Sequence, residues 1–191
     1  MNYPLLNVPG SYQGWNPEDS TTVIWSVQQD ETYDGYIFFG EDATLYKFAK
    51  GTWDVNWGDN GADGVLDPGG DNILAGDAGL YRLAVDLNTL TYETTKTDWA
   101  IIGDATPNGW DADTPMVYDP ETGLWSVTVD LNVGSLKFRA NGNWDINLGD
   151  DDPAVPGLQY EGANINITEA GNYTITLDLT QAIYTYELTK N

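Results

Sequence analysis

The sequence predicts an all-β protein of two tandem antiparallel β-sandwich modules, spanning residues 1–97 and 98–191. Three observations lead there. A strand–turn–strand pattern built on Lys-Phe and Trp-Asp occurs once in each half of the chain. Short β-branched and aromatic runs recur at close spacing, punctuated by Gly, Pro, Asn and Asp. No segment carries a convincing helical periodicity.

Each half opens on a short apolar strand, Leu5-Leu6-Asn7-Val8 or Trp99-Ala100-Ile101-Ile102, that runs into a turn-rich loop ending in Gly14-Trp15 or Gly109-Trp110. A Trp among Gly, Asn, Pro and Asp does not read as the inside of a core-facing strand. Strands follow over Thr21–Val27 and, after a turn expected at Asp34-Gly35, over Tyr36–Phe39. Their counterparts are Met116-Val117-Tyr118 and Leu124–Val129, flanking a turn at 119–123.

The repeated hairpin comes next. It runs from Leu45-Tyr46-Lys47-Phe48 through Gly51 to Trp53-Asp54-Val55-Asn56-Trp57-Gly58-Asp59, and from Leu136-Lys137-Phe138-Arg139 through Gly142 to Trp144-Asp145-Ile146-Asn147-Leu148-Gly149-Asp150. Alternation sends Tyr46 and Phe48 to one face and Lys47 to the other, and likewise Leu136 and Phe138 against Lys137. An acidic Gly-rich loop follows at 59–70 and, shortened, at 150–157. Both halves close on a strand with one buried face, Tyr81, Leu83, Val85 and Leu87 in one and Tyr173, Ile175, Leu177 and Leu179 in the other. The offset between halves is 95 from Trp15 to Trp110, 91 from Trp53 to Trp144 and 92 from Gly79 to Gly171, so the differences fall in loops. Only Thr94–Asp98 joins the last strand of one half to the first of the next, so the modules are expected to abut and move little.

Composition narrows the function. The 191 residues hold 7 Lys plus Arg against 30 Asp plus Glu, for a net charge of -23. Such acidity excludes nucleic acid, whose phosphates demand many cations. It also argues against anionic membranes and polyanionic glycans, leaving a neutral ligand. The chain has no Cys and no His, which removes disulfides, thiol nucleophiles and the commonest general base. No apolar run approaches a membrane span, and no signal peptide begins the chain. Met1-Asn2-Tyr3 reads as a trimmed start, so any targeting segment or lipid-anchor Cys is expected upstream.

The residues that suggest chemistry are aromatic platforms beside cations. A flat indole lies against the apolar face of a pyranose while polar side chains reach its hydroxyls. Trp15 and Trp110 are the foremost candidates, against the alternative of lids over the end of a sandwich. Lys47 and Lys137 are candidate donors to sugar oxygens, the alternative being solvated cations. Trp53 and Trp144 alternate in phase with Val55 and Trp57, and with Ile146 and Leu148, so they read equally as core stripe or ligand contact. Arg139, Asn72 and Asn164 are further hydrogen-bonding candidates, while Trp25 and Trp125 read as core. The acidic loop fails the calcium-loop spacing, since the third and twelfth positions counted from Asp59 are Gly61 and Gly70. Acids are too abundant for any pair to single out a hydrolytic site.

The order Gly-Trp, then (Tyr/Leu)-Lys-Phe, then Trp-Asp is similar to the starch-binding domains appended to amylases and glucoamylases, in which two Trp and the Lys contact glucose units. The longer pattern resembles the SusE/SusF family of outer-membrane starch-binding lipoproteins. It includes Trp-Asp-(Val/Ile)-Asn-x-Gly-Asp, the loop Asp59–Gly64, Gly70-Asp71-Asn72-Ile73 and the final Gly-x-Tyr strand, and covers nearly the whole chain. The signal, lipidated Cys and N-terminal immunoglobulin-like domain of that family have no match here. The resemblance implies two immunoglobulin-like, starch-binding-domain-like sandwiches forming the C-terminal glycan-binding part of a longer protein. It implies a lipid anchor at the extracellular face of the outer membrane, neighbouring glycan-uptake proteins as partners, and no cofactor. It also raises Trp53, Trp144 and the two lysines as ligand contacts. The expectation is therefore non-catalytic binding of starch or maltooligosaccharides. The rivals are a structural or calcium-stabilised spacer, a module for another neutral polysaccharide, and a glycoside hydrolase fragment.

Overall fold

The computed structural model describes residues 2–191, and among these every extended element belongs to an antiparallel pairing. The chain divides into two compact units, one ending at Lys96 and one spanning Thr97–Asn191. In the first, Thr32–Phe39 and Gly79–Asp86 pair along their whole length, from Thr32 opposite Asp86 to Phe39 opposite Gly79. Thr91–Thr97 flanks Gly79–Asp86 on its other edge. Leu5–Asn7, Phe48–Ala49, Asn56–Gly58 and Asp67–Pro68 form the facing strands. Val23–Trp25 joins the two sets, pairing with Leu5–Asn7 on one side and through Trp25 opposite Asp34 on the other.

Both inner faces feed one core. Leu6, Ile24, Phe39, Tyr46, Phe48 and Leu83 are fully buried in it. Burying each such side chain contributes on the order of 1.5–3 kcal/mol, which is why the pattern of alternation decides the fold. The rings of Phe39 and Tyr46 stack with centroids 5.1 Å apart, and Tyr12 meets Phe39 edge-on at 5.0 Å.

The second unit keeps its sheets separate. Val117–Asp119, Leu124–Leu131, Gly171–Asp178 and Thr185–Lys190 make one. Thr114–Pro115, Trp99–Ile102, Gly134–Ala140, Asn147–Gly149 and Gln159–Tyr160 make the other, with Ile165–Ile167 also on Gly134–Ala140. The chain crosses between the sheets at buried Met116, whose N–H donates to the Trp99 carbonyl (3.0 Å).

Two expectations need correcting. Asp34-Gly35 is not a turn but the middle of Thr32–Phe39; a Cβ on Gly35 would meet Ile24 Cγ2 at 2.6 Å, so glycine here serves close packing. The chain turns earlier, where Gln29 and Glu31 adopt φ of 57° and 66°. Trp25 is only half-buried, because it faces outward opposite exposed Leu5, whereas Trp125 is buried against Tyr118.

Candidate functional site

The repeated Trp-Asp-(Val/Ile)-Asn-x-Gly-Asp segment folds residue by residue for identifiable reasons. Lys50 N–H donates to Val55 O, and Ala140 N–H to Ile146 O (both 2.9 Å), closing loops over residues 51–54 and 141–145. Within them Thr52 Oγ1 accepts from Asp54 N–H (3.3 Å) and Asn143 Oδ1 from Asp145 N–H (2.9 Å). These side-chain turns replace strand pairing, so Trp53 and Trp144 lie at loop tips. The strands resume only at Asn56 and Asn147. Asn56 Nδ2 donates back to Trp53 O (2.7 Å), and Asn147 Nδ2 to Trp144 O (2.9 Å), fixing each Trp from behind.

The Gly and final Asp have structural roles. A Cβ on Gly58 would meet Asp71 O at 1.9 Å, and one on Gly149 would meet Ala163 O at 2.2 Å, because another stretch of backbone crosses directly over each. Asp59 gathers its own loop: Oδ1 accepts from Gly61 N–H (2.9 Å) and Oδ2 from Gly64 N–H (3.0 Å) and the Tyr92 hydroxyl (2.8 Å). Burial pushes the Asp59 carboxyl up, but Tyr92 and the backbone donors outweigh it and hold it below its ordinary value. Asp150 repeats the arrangement more simply, accepting from Asp152 N–H (3.1 Å) and the Tyr186 hydroxyl (2.9 Å).

The Gly-Trp loops bring the second ring of each pair. Gly14 at φ 75° ends a 3-10 turn over Ser11–Gln13, and Trp15 itself sits at φ 61° with its N–H on Gly10 O (3.0 Å). A left-handed conformation costs a bulky residue about 1–3 kcal/mol and persists where its surroundings impose it. In the second unit Gly109 at φ 62° takes the left-handed position, and Thr106 Oγ1 ties the loop to Gly103 O (2.8 Å).

The rings meet in pairs. Trp15 and Trp53 have centroids 6.4 Å apart at 41°, and Trp110 and Trp144 have centroids 6.2 Å apart at 38°. Trp53, Trp110 and Trp144 are 41%, 40% and 45% exposed, and Trp15 is half-buried, so each pair forms an open, angled apolar surface. For Trp53 and Trp144 the core alternative is thereby excluded.

Cations flank the pairs. Lys47 Nζ lies 6.0 Å from the Trp53 ring centroid, Lys137 Nζ 5.8 Å from that of Trp144, and Arg139 Cζ 4.8 Å from the same ring, within cation–π range. Burial lowers the pKa of Lys47, with Asp71 working against it, and lowers that of Lys137 against Glu161 and Asp151. Arg139 Nε donates to Asp113 Oδ1 (2.6 Å), and Lys137 Nζ to Asn147 Oδ1 (2.6 Å).

All seven site residues named from the sequence thus fall into two clusters: Trp15, Trp53 and Lys47, and Trp110, Trp144, Lys137 and Arg139. Asn72 and Asn164 are exposed at the edge; continuing the registers Tyr46–Ile73 and Leu136–Ile165 by one residue sets them across from Lys47 and Lys137. Asn56, Asn147 and Asp113 are additions. The recurrence of Asn in both hairpins was a usable signal for the first two; nothing local in the sequence marks Asp113.

Neither a family model nor a curated relative matches the chain. Among solved structures the chain is similar to that of SusF from Bacteroides thetaiotaomicron, with a TM-score of 0.38 and 17% identity. The match covers 97% of this chain and 48% of that one, so the chain spans about half the length of SusF.

Proposed function

We propose that this protein is a non-catalytic binder of neutral α-glucan, starch or maltooligosaccharide, with one site in each unit. The observation that carries the reading is the angled Trp pair with a flanking lysine, built twice from the same sequence pattern. Two ring planes meeting near 40° fit a chain whose successive sugars turn, as α-linked glucose does. A flat β-linked chain would require platforms closer to coplanar. Each stacked ring contributes on the order of 1 kcal/mol, by analogy with aromatic pairs, and lysine or amide donors add about as much per hydrogen bond. After the cost of ordering a flexible sugar, affinity falls roughly in the micromolar to millimolar range.

Binding without hydrolysis belongs to the same reading: Asp59 and Asp150, the acids that close the repeated motif, are each committed to a Tyr hydroxyl and to backbone N–H donors of their own loop. Display at the extracellular face of an outer membrane, through a lipid anchor outside this chain and beside other glycan-uptake proteins, belongs to the same proposal and rests on the motif resemblance.

The test is affinity electrophoresis in gels containing starch, pullulan, dextran or xylan, with reducing ends measured after incubation. Retardation in starch and pullulan without new reducing ends is expected. Unretarded migration in the α-glucan gels, or release lost on changing one acid, would overturn it.

A further inference from the structure

The two sites share one plan but are finished differently. In the second unit Lys137, Asn147 and the Trp144 carbonyl form a continuous hydrogen-bonded chain, at 2.6 and 2.9 Å. In the first, Asn56 makes the matching bond to Trp53 O, yet its Oδ1 is buried with no partner among the described residues. The ammonium that would complete the chain, on Lys47, carries no such bond there. An unpaired buried amide oxygen is costly, and a lysine left uncommitted retains rotamer freedom that ligand binding must remove.

The second difference is Arg139. It stands opposite Asn147 in the strand pairing; the residue opposite Asn56 is Ala49, which is buried and has no donor to offer. Arg139 and Asp113 side chains are only 12% and 22% exposed, and their bond holds the guanidinium carbon 4.8 Å from the Trp144 ring centroid. Committing Nε to Asp113 leaves the other N–H donors of the planar fork beside the platform. A fork fixed before binding loses less freedom for each hydrogen bond it makes.

Resting on the glycan-binding reading above, we propose that the second unit holds the tighter α-glucan site, and that Asp113 is the positioning residue that makes it so by holding Arg139 against Trp144. Asp113 need not touch the sugar.

The experiment uses the 191-residue chain with one site disabled: Trp144→Ala reports the first site and Trp53→Ala the second. Each is titrated calorimetrically with maltoheptaose. The second site should bind about tenfold tighter, the difference expected for a pre-placed charged donor. Adding Asp113→Ala to the Trp53→Ala chain should remove most of that advantage. Asp113→Asn, which keeps an oxygen for Nε, should restore much of it, a rescue that general loosening of the unit would not show. The same Asp113→Ala change in the Trp144→Ala chain should leave the first site's constant unmoved. Equal constants for the two sites, or an unchanged second site after Asp113→Ala, would refute this inference while leaving glycan binding intact. Absence of binding by the unsubstituted chain would refute the glycan reading itself, and this inference with it.

Discussion

Trp110 and Trp144 reach each other from two different loops, with ring centroids 6.2 Å apart, and Trp15 and Trp53 repeat the relationship at 6.4 Å. In the proposed glycan site a single ring could not define the angle between successive sugars, so what the fold would contribute is the alignment of a Gly-Trp loop with a hairpin tip.

Removing one ring tests that alignment. Trp110→Ala should abolish detectable maltooligosaccharide binding by the second site, because the remaining ring supplies neither the second stacking contact nor the angle between the two. Because Trp110 is 40% exposed, stability should change by no more than about 1 kcal/mol. Thermal melts and titrations on the same sample separate the two effects; a large fall in melting temperature would make Trp110 a structural residue.

The glycine of the motif should behave in the reverse way. Gly58→Ala sets a methyl against the Asp71 carbonyl, and Gly149→Ala sets one against the Ala163 carbonyl. Backbone cannot step aside as a flexible side chain does, so each change should destabilise its unit by about 2–4 kcal/mol. Chemical denaturation read by Trp fluorescence would measure the loss. Full stability in either variant would show that the crossing is looser than described.

Asp59 ties stability to acid. Its folded-state pKa is depressed below 3.8, so its contribution is complete above that value and is lost as pH falls through the folded value. The first unit should thus lose stability in acid more steeply than an Asp59→Asn variant, which is weaker at neutral pH but has no such proton to take up. Denaturation midpoints from about pH 7 down to about pH 3 decide it; parallel profiles would remove Asp59 from the account.

Much of this was legible in the sequence, for reasons the structure makes plain. Lys47 alternates against buried Tyr46 and Phe48 because a strand with one buried face forces period two, and the same rule placed Lys137. The rule misled where the backbone stopped obeying it. Reading Trp53, Val55 and Trp57 as one stripe extended the strand into a loop that Thr52 and Lys50 had already closed. Asp34-Gly35 looked like a turn because local chemistry favours one, but the pairing from Thr32 to Phe39 and the nearness of Ile24 override it. The Asp113–Arg139 bond joins distant parts of the chain, and no local pattern encodes such a partner.

The proposed role of the lysines as donors to sugar predicts a pH-dependent affinity. Burial lowers both Lys47 and Lys137, so they lose their protons below the ordinary lysine value of about 10.4. A sugar oxygen accepting from the ammonium favours the protonated form, so affinity should be full at neutral pH and decline as pH rises through each lysine's lowered pKa. Titrations with maltoheptaose at rising pH would show the decline, and Lys47→Met with Lys137→Met should flatten it. A flat profile in the unsubstituted chain would mean that the lysines do not touch ligand.

Angled Trp pairs are proposed to read the turn of an α-linked glucan. The most direct measurement is calorimetric titration of the full chain and of the Trp53→Ala, Trp144→Ala double variant with maltoheptaose and with cellohexaose. Binding of maltoheptaose only is expected, lost in a double variant that remains folded. Equal binding of cellohexaose, or maltoheptaose binding that survives the loss of both rings, would contradict it.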